Sequence, residues 1–201
     1  MHVSSFYIDR YPVTNAEFKK FLDASHYRPK DDLNFLRDWQ EGNYPSGWQN
    51  RPVTWVSLDD ARAYANWAGK RLPHEWEWQY AAQGTDRRLY PWGNEWEVTA
   101  LPTPDKSRTM RGPDPVDAHA KGASPFGVMD MVGNVWKWTE EFVDEHTRGG
   151  IPQGGSYYQA QGSIWYFPQA DKLNEHGKLL LMSPSKDRSG GVGFRCVVDS
   201  Q

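Results

Sequence analysis

Cysteine is nearly missing from this 201-residue chain, which carries only Cys196. One sulfur cannot close an internal disulfide or build a thiolate zinc cluster, and chemistry that needs a cysteine pair within the chain falls with them. Long apolar runs are missing too. No stretch approaches the ~20 residues that a membrane-spanning helix requires. Residues Met1 to Asp9 lack the charged-then-apolar order of a secretory signal, so the chain as it stands reads as cytoplasmic. There is no basic tract: 23 Lys and Arg and 26 Asp and Glu are spread along the chain, for a net charge of -3. Neither nucleic acid nor a membrane is expected as a partner.

What the chain has is aromatic area. The mean hydropathy of -0.83 argues against a large core, but 11 Trp, 10 Tyr and 8 Phe bury much surface with few residues. The 18 Gly and 14 Pro supply the turns of an irregular backbone. The length suits one domain, residues 1–201.

A short strand is expected at Ser5 to Asp9. Thr14 caps a helix with Glu17 in its first turn and Phe18, Phe21 and Leu22 on one face, ending near Ala24. His26 to Pro52 reads as an ordered loop pinned by aromatics. Ser57, with Asp60 three residues on, opens a second helix striped by Leu58, Ala61, Tyr64, Ala65 and Ala68 and stopped by Gly69. A third, shorter helix runs from near Pro73 to Gly84. Six prolines between 85 and 127 exclude long elements there. Short antiparallel strands are expected at Val135 to Thr139, Gly155 to Tyr158, Ile164 to Phe167 and Val192 to Val198.

Seven blocks occur in an informative order: YPVTN (Tyr11 to Asn15), PVTW (Pro52 to Trp55), RLP with EWEW (Arg71 to Trp78), YPWGN (Tyr90 to Asn94), GVMDMVGNVW (Gly127 to Trp136), GGSY (Gly154 to Tyr157) and GFRC (Gly193 to Cys196). Together they resemble the formylglycine-generating enzyme, or sulfatase-modifying factor, family, which includes the second domain of ergothioneine-type sulfoxide synthases. The resemblance implies an α+β, C-type-lectin-like fold. The family's usual N-terminal hairpin, with an apolar-Gly-Gly-x-Phe-x-Met-Gly pattern, is missing before Phe6, which leaves open whether the chain is a fragment.

The resemblance also implies a reaction centre that this chain departs from. In the formylglycine-generating enzymes, two cysteines five residues apart after Gly-Gly-Ser hold copper and oxidise a substrate cysteine with oxygen. Soft thiolates suit Cu(I), and a thiol exchanges with the substrate. The matching positions are Gln159 and Ile164, and neither replaces a thiolate. Cys196 is expected to be a small core residue. Ser156 matches a serine that lines the family's oxygen site and implies inheritance of the scaffold.

A family calcium site implies a second departure. Its matching positions are Asp130, Gly133, Val135 and Lys137, with the lysine in place of a glutamate. An ammonium cannot ligate a hard cation and repels one. The site is expected to be vacant, with Lys137 paired to Asp130 where the ion would sit.

Six histidines, at 2, 26, 74, 119, 146 and 176, raise a mononuclear iron site, but none are spaced as facial-triad pairs. In the sulfoxide synthases the iron-binding histidines lie chiefly on a separate helical domain, absent from this chain. The acidic run Glu140 to His146 reads as a solvated loop, and no serine sits on a Gly-x-Ser-x-Gly elbow. The segment 156–188 lines the ligand groove that the resemblance implies. Trp136, Ser156, Tyr157, Gln159, Trp165, His176 and Arg188 are its candidate ligand residues, by their mix of rigid rings and small polar groups.

Three roles follow. One is a binding or accessory module for a peptide, glycan or small molecule, without cofactor. Another is an oxidoreductase whose iron or copper ligands are not recognisable here or come from another domain. The third is a structural or regulatory domain of a larger chain.

Overall fold

A computed structural model describes residues 3–107, 111–142, 150–158, 173 and 187–200. Strand β1 (Phe6–Ile8) is followed by helices α1 (Asn15–Ser25), α2 (Leu58–Trp67) and α3 (Glu75–Gln83). After two 3-10 turns, Val98–Ala100 and Ala120–Gly122, come β2 (Trp136–Phe142), β3 (Gly150–Gln153), β4 (Val192–Gly193) and β5 (Val197–Asp199). The fold is α+β, with small sheets and no closed barrel among the described residues.

The helices start where side chains satisfy their first backbone N–H groups. Thr14 and Glu17 form a capping box on α1, and Ser57 and Asp60 form one on α2. Each such cap contributes about 1 kcal/mol. The buried stripes then fix how the helices sit: Phe18 and Phe21 of α1 meet Tyr64 of α2, with ring centroids 5.8 and 5.6 Å away. Phe194, between β4 and β5, closes the cluster 5.3 Å from Tyr64. The long loop after α1 is pinned by aromatics as expected: the Trp39 indole donates to Asn15 Oδ1 at 3.1 Å, and the Trp55 indole to Asp38 at 2.7 Å.

Sheet topology departs from expectation in two places. β2 pairs antiparallel with β3 but parallel with β4, where all the late strands had been expected antiparallel. The strand expected at Gly155 to Tyr158 lies earlier, at Gly150–Gln153, and 155–158 contributes isolated bridges, among them that of Tyr158 to Asp105. Pro152 obscures β3, since proline reads as a strand breaker; the residue fits at the sheet edge, opposite Trp138. The expected strand at 192–198 is split, because residues 194–196 turn their backbone towards Asp9 and Val13. The strand expected at Ile164 to Phe167 lies outside the described residues. β1 pairs antiparallel with β5, tying the two ends of the described chain together.

Candidate functional site

β2 begins at Trp136 and carries Lys137 into the interior, where its side chain is fully buried. The turn before it, residues 129–134, holds Asp130, Gly133 and Asn134 in left-handed conformations, with φ of 52°, 71° and 57°. This geometry aims several carbonyl oxygens inward. Lys137 Nζ donates to Gly133 O at 2.7 Å and to Met131 O at 3.4 Å. Arg195, also fully buried, donates to Met129 O and Asp130 O of the same turn and to Asp9 O and Arg10 O. The Asp130 carboxylate accepts from Asn134 Nδ2 at 2.8 Å.

Burial pushes the Asp130 carboxyl up and the Lys137 ammonium down from their ordinary values, while their mutual attraction opposes both shifts. Burial likewise lowers Arg195, to about 10. The residues do not fit a calcium site as they stand, because the position of the family glutamate bears a hydrogen-bond donor without a lone pair. One detail of the expectation needs correcting: Lys137 bonds the backbone carbonyls, and the partner of Asp130 is Asn134. The short turn makes carbonyl oxygens the nearer acceptors.

The groove candidates that the structure describes are interior residues. Trp136 packs in the main core, and Ser156 and Tyr157 are buried. The Tyr157 hydroxyl donates to Gly190 O at 3.2 Å, the Arg111 guanidinium lies 5.5 Å over its ring, and burial pushes its phenol up. Ser156 Oγ accepts from Tyr158 N at 3.3 Å. Arg188 forms a buried ion pair with Asp60, 2.8 Å from Nε to Oδ2, and also donates to Leu33 O. These four side chains are buried and bonded within the scaffold, and Arg188 also lines a cleft with Tyr27, Ser57 and Asp59. The sequence could not separate the readings, since the same rings and polar groups serve a core or a surface. Gln159, Trp165 and His176, like Ile164, lie outside the described residues.

Cys196 is fully buried beside Phe194 in the main core, and burial pushes its thiol far up. Burial thus opposes formation of the thiolate that copper binding requires. Of the histidines, His74 pairs with Glu141 and stacks on Trp76, and His119 pairs with Asp114. Among the described residues no three His, Cys, Asp or Glu side chains gather as metal ligands. The acidic run is partly structural: Glu140 and Glu141 belong to β2, where Glu140 pairs with Arg62, and 143–149 lie outside the described residues.

Sequence reasoning missed a polar network beside the turn. Asp114 accepts from His119 Nε2 at 2.9 Å and pairs with Arg111. Asn134 donates to Asp114 O at 3.1 Å and accepts from Asp114 N at 2.9 Å. Asn134 in the Gly-Asn block was the available signal, because an asparagine tolerates the left-handed backbone while bonding main-chain groups.

No helix among the described residues is long and apolar enough to cross a membrane. Residues 1–200 match the model of the sulfatase-modifying factor enzyme 1-like domain. The chain is 28% identical to the formylglycine-generating enzyme of Bos taurus, over 98% of the chain and 66% of that protein. It is 31% identical to the inactive C-alpha-formylglycine-generating enzyme 2 of Bos taurus, over 96% of the chain and 77% of that protein. It is 37% identical to the hercynine oxygenase of Mycobacterium tuberculosis, over 81% of the chain but 46% of that protein. The chain thus spans about two thirds of the formylglycine-generating enzymes and under half of the hercynine oxygenase. In fold it is similar to CarF (TM-score 0.69, 20% identity, 100% of this chain and 89% of that one). It is also similar to PvdO from Pseudomonas aeruginosa (TM-score 0.70, 22% identity, 97% and 80%). Matching that model over residues 1–200, and 31% identical to a relative over 96% of its length, the chain belongs to the sulfatase-modifying factor family.

Proposed function

We propose that this chain is a ligand-binding member of the family that does not perform the copper–thiolate oxidation of a substrate cysteine. One observation carries the reading: the cysteine-pair positions hold Gln159 and Ile164, and the lone Cys196 is sealed in the core with its thiol pushed up. An amide and an alkyl group offer no thiolate to Cu(I) and no sulfur for exchange. The relative named as inactive supports a non-oxidising role. The ligand is a peptide, glycan or small molecule. Since Trp136, Ser156, Tyr157 and Arg188 are engaged inside, recognition falls to Gln159, Trp165 and His176 of the segment implied to line the groove. A fluorescence screen of peptides and glycans tests this. Saturable binding that Trp165→Ala weakens at least about tenfold is expected; the absence of any saturable ligand, or an unaffected variant, overturns it.

A second reading rests on the hercynine oxygenase, which extends well beyond the part this chain matches. In it, the chain is the non-metal part of an oxidoreductase, holding substrate while another domain supplies a mononuclear iron. Iron-dependent oxygen uptake by a longer protein containing this chain, abolished by removing residues 1–201, would favour it over the first.

A further inference from the structure

We infer that Lys137 is a tethered cation that does the work of a bound divalent ion, so that the turn at 129–134 is independent of calcium. Carbonyl oxygens that converge in the interior need a positive partner, because a buried acceptor without a donor is costly. Here Gly133 O and Met131 O converge on one point, the Asp130 carboxylate adds to the negative potential there, and Lys137 Nζ occupies it. The pairing of Lys137 with Gln153 on one side and Gly193 on the other fixes the stem that delivers the charge. Gly154 closes the pocket from above: a Cβ there would lie 2.3 Å from Met131 O and 3.3 Å from Nζ. Arg195 takes the neighbouring carbonyls of Met129 and Asp130, so two buried side-chain cations serve the turn.

The implied ion and Lys137 are mutually exclusive. The lysine removes an oxygen ligand, takes up Gly133 O, one of the carbonyls the implied site would use, and repels a second cation. A covalently attached cation also leaves the fold insensitive to chelators, because there is no ion to withdraw. Lys137→Glu reverses each of these features. It restores a carboxylate facing Asp130 and Gly133, and without metal it leaves two carboxyl groups buried together.

Thermal unfolding of the purified chain, Lys137→Met and Lys137→Glu, each in calcium, in magnesium and in EGTA, tests the inference. The unaltered chain is expected to melt within about 1 °C in all three. Lys137→Met should melt about 6 °C or more lower in every condition, having lost the charge without gaining a ligand. Lys137→Glu should melt at least about 5 °C higher in millimolar calcium than in EGTA, with a smaller gain in magnesium. Calcium stabilisation of the unaltered chain, or Lys137→Met as stable as that chain, overturns the inference. A Lys137→Glu protein that calcium does not stabilise, or that is recovered folded in neither condition, also counts against it.

Discussion

Arg188 and Asp60 lie 128 positions apart in sequence and face each other with both side chains fully buried. The Asp60 carboxylate also accepts from the Tyr27 hydroxyl at 2.8 Å and from Ser57 N at 2.7 Å, the second of which caps α2. One buried carboxylate therefore joins the loop after α1, the start of α2 and the segment before β4. Removing its cation leaves a charge without its partner in the interior. Arg188→Met is expected to cost about 3–5 kcal/mol, read as a lowered urea midpoint with an unchanged m-value. A loss below about 1 kcal/mol, in the range of surface pairs, would mean that the pair is solvated in solution.

His119 and Asp114 shape the pH dependence. Their hydrogen bond holds His119 above its ordinary value, and the same bond, with Arg111, holds Asp114 below the usual carboxylate value. The raised His119 contributes fully below the unfolded histidine value of about 6.5, and that contribution is lost as pH rises through the folded value. The depressed Asp114 contributes above about 3.9 and loses its contribution as pH falls through its folded value. Stability from this pair is therefore greatest between about pH 4 and 6.5. His119→Gln should flatten the alkaline limb and leave an acid limb through Arg111. Urea unfolding across pH checks this; an unchanged alkaline limb in the variant contradicts it.

Gly154 stands where no side chain fits. Its φ is +98°, and a Cβ would meet Met131 O at 2.3 Å. Gly154→Ala should cost about 2–4 kcal/mol through backbone strain and displacement of the turn. Differential scanning calorimetry measures it, and a variant within about 0.5 kcal/mol of the parent would show that the turn yields freely.

The helices were legible because their signals are local. A threonine or serine with an acidic residue three positions on satisfies the first N–H groups whatever the rest of the chain does, and Thr14 caps α1, and Ser57 with Asp60 caps α2, as read. The sheet was less legible, because Pro152 hides β3 and because parallel pairing of β2 with β4 depends on contacts far apart in sequence. The identities of Gln159, Ile164 and Lys137 could be read from the chain alone. The places of Arg188 and Tyr157 could not. An arginine near a groove-like segment looks the same whether its partner is a ligand or a carboxylate 128 residues away. Asp60 had been assigned to a cap, and its second role needed the tertiary structure.

Cys196 should be silent to reagents. Burial raises its thiol, and the native chain should react with a thiol-specific disulfide reagent only as fast as it unfolds. In denaturant one thiol should react at once; rapid reaction of the native chain would place the sulfur at the surface.

The proposed function is that this chain does not carry out the copper–thiolate oxidation of a substrate cysteine. Its most direct test is anaerobic titration of the purified chain with Cu(I), followed by oxygen-consumption measurement with a cysteine-containing peptide. No stoichiometric copper binding and no oxygen uptake above the peptide's own background are expected. One tightly bound copper per chain, with peptide-dependent oxygen uptake and conversion of the cysteine to an aldehyde, would contradict it.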